Sequence, residues 1–265
     1  MGTQTRQSQR RRQVLSRERI VEAAVELLDT EGEGGLTVRA LAERLSTGSG
    51  AIYHHVGNMG ELLQAATATV VAGALPPLRT PAASPQTPDA PRTPDSTGSP
   101  EDAIRAVALG LFDAALEHPW LAAQLAAQLT RSPWGAVTPR IFESIGRQVR
   151  ALDVPRRDWF ATTSTLVHYI LGATAQNAQT PDGTDGGPFP GTAAERSEFL
   201  DAASRAWQDL DPDEYPFLHD IADQMREHED REQFLTGIGL ILTGITAGAP
   251  AGRPPGAPGD RPVTG

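Results

Sequence analysis

The stretch GLTVRALAERLSTGSGAIYHHVGNMGELL, Gly35 to Leu63, decides the fold. Thr37 is of the N-capping type, and Val38, Leu41, Ala42 and Leu45 after it share one side of a short helix. Ser46-Thr47-Gly48 breaks that helix. A second short helix then runs to about His55, with Ile52 and Val56 turned inward. Asn58 caps a longer helix that carries Leu62, Leu63, Ala66 and Val70 on its inner side. Upstream, Ser16 caps a helix whose residues Ile20, Ala23, Ala24, Leu27 and Leu28 form one apolar stripe, ending near Glu31 before Gly32, Gly34 and Gly35.

Two short helices joined by a tight turn and braced by a longer one are the layout of a helix-turn-helix. For DNA reading, the second short helix must leave the body with small or polar residues outward. Thr47, Ser49, Gly50, Ala51 and His54 meet that need, because none would collide with base edges in a major groove.

The rest of the composition fits this reading. The net charge of −10 argues against a polyanion partner, but residues 1–19 hold six arginines against the single Glu18. Arg10, Arg11 and Arg12 are the centre of this basic arm on an acidic chain, which directs nucleic acid to one end. The absence of cysteine excludes disulfides, thiolate metal sites and cysteine nucleophiles, and suits a reducing cytosol. No secretory h-region and no run of 18 apolar residues occur, so a cytoplasmic protein without membrane spans is expected.

The stretch Gly35–Leu63 closely resembles the DNA-binding head of the TetR family of bacterial transcriptional regulators. Gly35, Leu36, Thr37, Leu41, Ala42, Tyr53, His55, Val56 and the pair Leu62-Leu63 carry the resemblance in order. It implies that Thr37 caps its helix at the phosphate backbone and that Arg39 reaches a base or a phosphate. It also implies that Tyr53 and His55 sit against phosphates at the far end of the recognition helix. One position departs from the pattern: Met59 stands where the family usually has lysine. The arginine arm is expected to supply the missing charge.

Five segments are expected: a disordered basic arm at 1–15, the DNA-binding domain at 16–75, a linker at 76–100, a helical domain at 101–247 and a disordered tail at 248–265. The linker holds eight prolines in 25 positions, too many for helix or sheet. In the helical domain, Ser99-Pro100-Glu101-Asp102 is a helix start. Further helices are expected at about 120–129, 137–152, 155–178, 194–209, 214–226 and 229–247, with a mobile surface loop at 180–193. No strand pattern is found. The expected fold is all-α.

HPWLAAQLA at 118–126, the helix at 157–178 and the segment 210–245 resemble the ligand-binding domain of the tetracycline-repressor subgroup. That resemblance implies a homodimer in which the 157–178 helix and the last helix form a four-helix bundle with their copies. Leu235, Ile238, Leu242 and Ile245 form a stripe suited to such an isologous contact. Thirteen of the 14 aromatic residues lie beyond position 100, either lining an effector pocket or filling a helical core. Candidate pocket residues are Trp120, Trp134, Phe142, Trp159 and Phe160. Gln124, Gln128, His168, Gln176 and Asn177 join them as polar interruptions of apolar helices.

The expected function is a repressor that binds a pseudo-palindromic operator as a homodimer and is released by a small molecule. An architectural DNA binder without an effector is the alternative. A helical enzyme is least favoured, because no G-x-S-x-G elbow and no phosphate loop occur. His219 and Asp223 stand at a metal-sharing spacing, but a solvated charged turn explains them better, so no metal and no cofactor are expected.

Overall fold

The computed structural model describes residues 15–78, 98–178 and 192–248. Arg10, Arg11 and Arg12, most of the proline-rich linker, most of the expected loop at 180–193 and the tail from 249 lie outside the described residues. Among the described residues there are eleven α-helices and no strand. The chain divides into two compact units, Met1–Gly73 and Ala74–Gly265.

The first unit holds α1 (Arg17–Gly35), α2 (Val38–Arg44), α3 (Ser49–His55) and nearly all of α4 (Met59–Ala74). Ser16 Oγ accepts from the Arg19 amide at 3.3 Å and so satisfies an orphan donor at the start of α1. Gly32 leaves helical geometry at φ 67°, which ends the regular part of α1 at Glu31. Ile20, Ala24, Leu27 and Leu28 of α1 close over Leu41, Ile52, Val56 and Leu62, all buried. Burial of a side chain of this size stabilises by about 1.5–3 kcal/mol, so this small core rests on few residues.

The second unit is built from α5 (Pro100–Glu117), α6 (Trp120–Arg131), α7 (Val137–Ala151), α8 (Trp159–Asn177), α9 (Ala193–Gln208), α10 (Pro216–Glu227) and α11 (Asp230–Gly248). A short 3₁₀ turn, Arg156–Asp158, leads into α8. Ser99 and Asp102 form a capping box that starts α5 behind Pro100, and Thr192 with Glu195 does the same for α9. α5, α7 and α8 pack against one another, α6 covers α7 and α8, and α11 lies against α8 and α5. Phe234 of α11 stacks on Phe112 at 4.6 Å and on Tyr169 at 5.9 Å, and the Tyr169 hydroxyl donates to the Phe234 carbonyl at 3.1 Å. α9 and α10 pair mainly with each other, tied by the ion pair Arg226–Asp201 at 2.8 Å.

This packing corrects the expected dimer stripe. Ile238 and Leu242 are fully buried inside their own protomer, facing the same core as Phe234, and cannot touch a second copy. Leu235 and Ile245 are half-buried at the edge of that face. The apolar spacing of α11 is consumed by α5 and α8, so the outward face is a different one: Thr236, Leu240, Thr243, Gly244 and Ala247. Leu240 alone is 70% exposed.

Candidate nucleic-acid interface and ligand cleft

α3 is short because its boundaries are set by turns. After α2, Ser46 turns the chain at φ 50°, and the Thr47 amide donates to the Ala42 carbonyl at 2.9 Å. Ile52 and Val56 then anchor α3 in the core, at 0% and 5% exposure. Helical geometry forces the remaining positions outward. Ser49, Gly50, Tyr53 and His54 are exposed, and Thr47, Ala51 and His55 are half-buried. A Cβ at Gly50 would meet nothing within 4 Å, so the middle of this face is open space.

The neighbouring residues are ordered around α3. Thr37 Oγ1 accepts from the Ala40 amide at 3.1 Å and caps α2. Arg39 is exposed and makes no ion pair among the described residues, whereas Arg44 is held by Glu26 at 2.8 Å. Asn58 Oδ1 accepts from the Glu61 amide at 2.8 Å, so Met59 opens α4 in a turn that carries no cation. Glu18, on the first turn of α1, has its carboxyl pulled below the usual range by a backbone N–H and then by the Ser16 hydroxyl.

The second unit contains an open cleft of about 740 Å³ walled by α6, α7 and α8. Ala126, Leu129 and Thr130 of α6, with Pro133 just after it, form one side. Thr138, Pro139 and Phe142 of α7 form the next, and Phe160, Ser164, His168 and Leu171 of α8 form the third. The Phe142 and Phe160 rings are nearly parallel, 23° apart with centroids at 6.3 Å. No arginine, aspartate or glutamate lines it. Tyr169, on another side of α8, has its phenol pushed up by burial and serves the core.

Of the expected pocket residues, Phe142, Phe160 and His168 line the cleft and the others do not. Trp120, Gln124 and Gln128 share the side of α6 turned away from Ala126 and Thr130, and Trp120 and Gln128 are buried in the core there. Trp134 is 81% exposed beyond the end of α6. The Trp159 indole donates to the Val154 carbonyl at 2.7 Å and is flanked by Arg150 and Arg156. Asn177 donates to the Ala173 carbonyl, and Gln176 is exposed outside the lining. Thr138, Ser164 and Pro139 gave no signal of their own, because a threonine or proline in an amphipathic helix is ordinary. His219 bonds the Leu210 carbonyl at 2.6 Å and Asp223 faces Arg226.

The face of α7 opposite the cleft grips the chain just after α4. Arg140 donates to the Pro76 carbonyl at 2.6 Å and, more loosely, to that of Leu75 at 3.5 Å. Ser144, Arg147 and Gln148 line a smaller groove with Pro76, Pro77 and Leu78. On α5, a Cβ at Gly110 would come within 2.2 Å of the Ala74 carbonyl oxygen, so only glycine lets the end of α4 lie there.

Comparisons with known proteins agree with this geometry. Residues 20–66 match the family model of bacterial regulatory proteins, tetR family, and residues 91–248 match that of the tetracyclin repressor-like C-terminal domain. The chain is 57% identical to the transcriptional regulator SCO7222, a TetR from Streptomyces coelicolor, covering 88% of this chain and 98% of that one with a TM-score of 0.73. It is 27% identical to an HTH-type transcriptional regulator of Saccharopolyspora erythraea over 62% of this chain, and spans 61% of that relative's length. The fold is also that of Streptomyces coelicolor ActR in complex with actinorhodin, at 23% identity and a TM-score of 0.64, covering 89% of this chain and 99% of that one.

Proposed function

The chain belongs to the TetR family of bacterial regulatory proteins and is a DNA-binding transcriptional regulator, and we propose that it is a homodimeric repressor released from its operator by a small molecule. The observation that carries the reading is α3: two buried anchors, Ile52 and Val56, hold up a face of small and polar side chains. Ser49, Gly50, Ala51 and His54, with Thr47 at the turn, enter the major groove. Thr37, Tyr53 and His55 contact phosphates, and Arg39, exposed beside them, reaches a base or a phosphate. The arm around Arg10, Arg11 and Arg12 adds the charge that Met59 lacks. The protein works in the cytoplasm, without covalent chemistry.

Dimerisation uses the outward faces of α8 and α11. Ala161, Thr165, Gly172 and Ala175 of α8 are exposed and small, as are Thr236, Thr243, Gly244 and Ala247 of α11. Such faces allow close approach of two helix pairs, with Leu240 as the large apolar contact.

The cleft between α6, α7 and α8 takes the effector; ActR, which shares the fold, forms a complex with actinorhodin. α7 couples it to the head, since Phe142 and Thr138 face the ligand while Arg140 holds the carbonyls after α4. α4 is one helix from Met59 to Ala74, so a displacement of its last turn is felt by Leu62 and Ala66 in the head core. Repression is relieved only if the effector favours the displaced arrangement. The test is fluorescence polarisation of the full chain on DNA flanking its own gene, against random DNA and with a small-molecule library. Sequence-selective binding released by some library member is expected. Equal binding to random DNA would refute the repressor reading.

A further inference from the structure

The junction between α10 and α11 holds a titratable cluster that neither the DNA-reading face nor the cleft uses. Asp230 opens α11, and its Oδ1 accepts from Arg196 of α9 at 2.7 Å and faces His228 Nε2 at 3.2 Å. His228, the C-cap of α10, turns Nδ1 to the Met225 carbonyl at 2.7 Å. Arg196 also reaches the His228 carbonyl at 3.5 Å. Three helices thus meet at three side chains that are between 22% and 36% exposed. We propose that His228 is a pH-sensitive latch: as imidazolium it fastens the α9–α10 pair to the start of α11, and as neutral imidazole it lets that pair loosen.

The chemistry of the two partners sets the requirement. A carbonyl oxygen and a carboxylate oxygen only accept, and a neutral imidazole carries one N–H. The Met225 carbonyl, in the last turn of α10, lacks a partner along the helix. If Nδ1 gives the one proton to it, Nε2 turns a lone pair on Asp230. The other tautomer only moves the mismatch to the carbonyl. Imidazolium alone has a donor for each oxygen.

The charged groups facing the ring are Asp230 from α11 and Arg196 from α9, which divide one carboxylate oxygen with it. Glu227 and Glu229 flank His228 in the chain and are exposed. Arg226 is engaged by Asp201 of α9, and Arg231 by Asp113 of α5. His219 meets the Leu210 carbonyl with one nitrogen, and a neutral ring satisfies that contact.

Histidine changes charge between about pH 5 and 8, and above about pH 6 carboxylates stay ionised. The latch is therefore closed on the acid side of the histidine range and lost as pH rises through it. Position decides what gives way. α9 and α10 pair mainly with each other, whereas α11 is anchored against α5 and α8 by buried Phe234, Ile238 and Leu242. The α9–α10 pair loosens while α11 stays.

Hydrogen exchange of the full chain at about pH 6 and about pH 8.5, corrected for the intrinsic effect of pH on exchange, tests the latch. Protection of the α9 and α10 amides is expected to fall by about 3- to 10-fold at the higher pH, with α5 and α7 unchanged. His228→Gln, which has no titratable ring, should show the lower protection at both values. Asp230→Asn should do the opposite. Its amide can donate to Nε2 of a neutral ring while its oxygen still accepts from Arg196. Protection at the higher pH should then exceed the parent's, and the pH dependence should vanish. Protection in Asp230→Asn as low as in His228→Gln would mark plain packing and overturn the latch. So would parent protection indifferent to pH, a pH dependence that survives in His228→Gln, or an equal loss across α5 and α7.

Discussion

The face of α3 and the cleft of the second unit are opposite solutions to recognition. α3 is a short helix held by two side chains, Ile52 and Val56, so almost everything else on it is outward and polar or small. The cleft is concave, walled by three helices, with no arginine, aspartate or glutamate among its lining residues. DNA binding needs protruding donors near a polyanion, and a regulator's ligand site needs enclosed apolar area with few polar groups. A chain with both can regulate only if something joins them, and the joint proposed here is α7, whose Arg140 bonds the carbonyls just after α4.

The contrast can be broken at its DNA side first. Gly50→Trp should reduce operator affinity on the order of 100-fold, about 2.7 kcal/mol, by filling the groove-facing surface. Because a Cβ at Gly50 meets nothing within 4 Å, the melting temperature and ligand affinity should stay unchanged. Retained operator binding would remove α3 from the groove. Arg39→Ala should weaken operator binding by about 1–3 kcal/mol if it reads a base. Equal loss on random DNA would mark a phosphate contact instead.

The joint is probed by Arg140→Ala. Operator and ligand should each still bind, but the ligand's effect on operator affinity should shrink by about 1 kcal/mol of coupling. An unchanged coupling would remove Arg140 from the path. Deleting residues 1–12 should lower the slope of log affinity against log salt by about 0.9 for each phosphate that the arm neutralises. An unchanged slope would show that the arm does not compensate for Met59.

The smallest effect concerns Glu18. Its carboxyl is held below the usual range in the folded state by a backbone N–H and the Ser16 hydroxyl. A depressed folded value means the stabilisation is present above the unfolded pKa and is lost as pH falls through the folded one. Glu18→Gln should therefore lower the melting temperature slightly at neutral pH and not at all in strong acid. A difference that persists in acid would assign the effect to something other than charge.

The head was legible because so few arrangements are open to it. With a tiny core, the spacing of Leu41, Ile52, Val56 and Leu62 fixes which residues remain outside, and Thr37 and Asn58 announce the helix starts. The helices of the body were legible for the same reason of period and caps, as at Ser99 and Pro100. Which side of each helix meets which neighbour was not. Gln124 and Gln128 do share a face of α6, as their spacing requires, but that face is turned away from the cleft. Ile238 and Leu242 do form a stripe, but α5 and α8 of the same chain cover it before a second copy can. Periodicity gives the angle between residues on one helix and carries nothing about the long-range packing that decides what each face touches.

DNase footprinting of the full chain on the DNA beside its own gene shows whether two copies of α3 read that DNA as a pair. Two protected half-sites of related, inverted sequence, about one helical turn apart, are expected from two copies of α3 in successive major grooves. Loss of both half-sites together in Gly50→Trp would complete that result. Protection without a two-fold pattern, or an unchanged footprint in Gly50→Trp, would contradict the account.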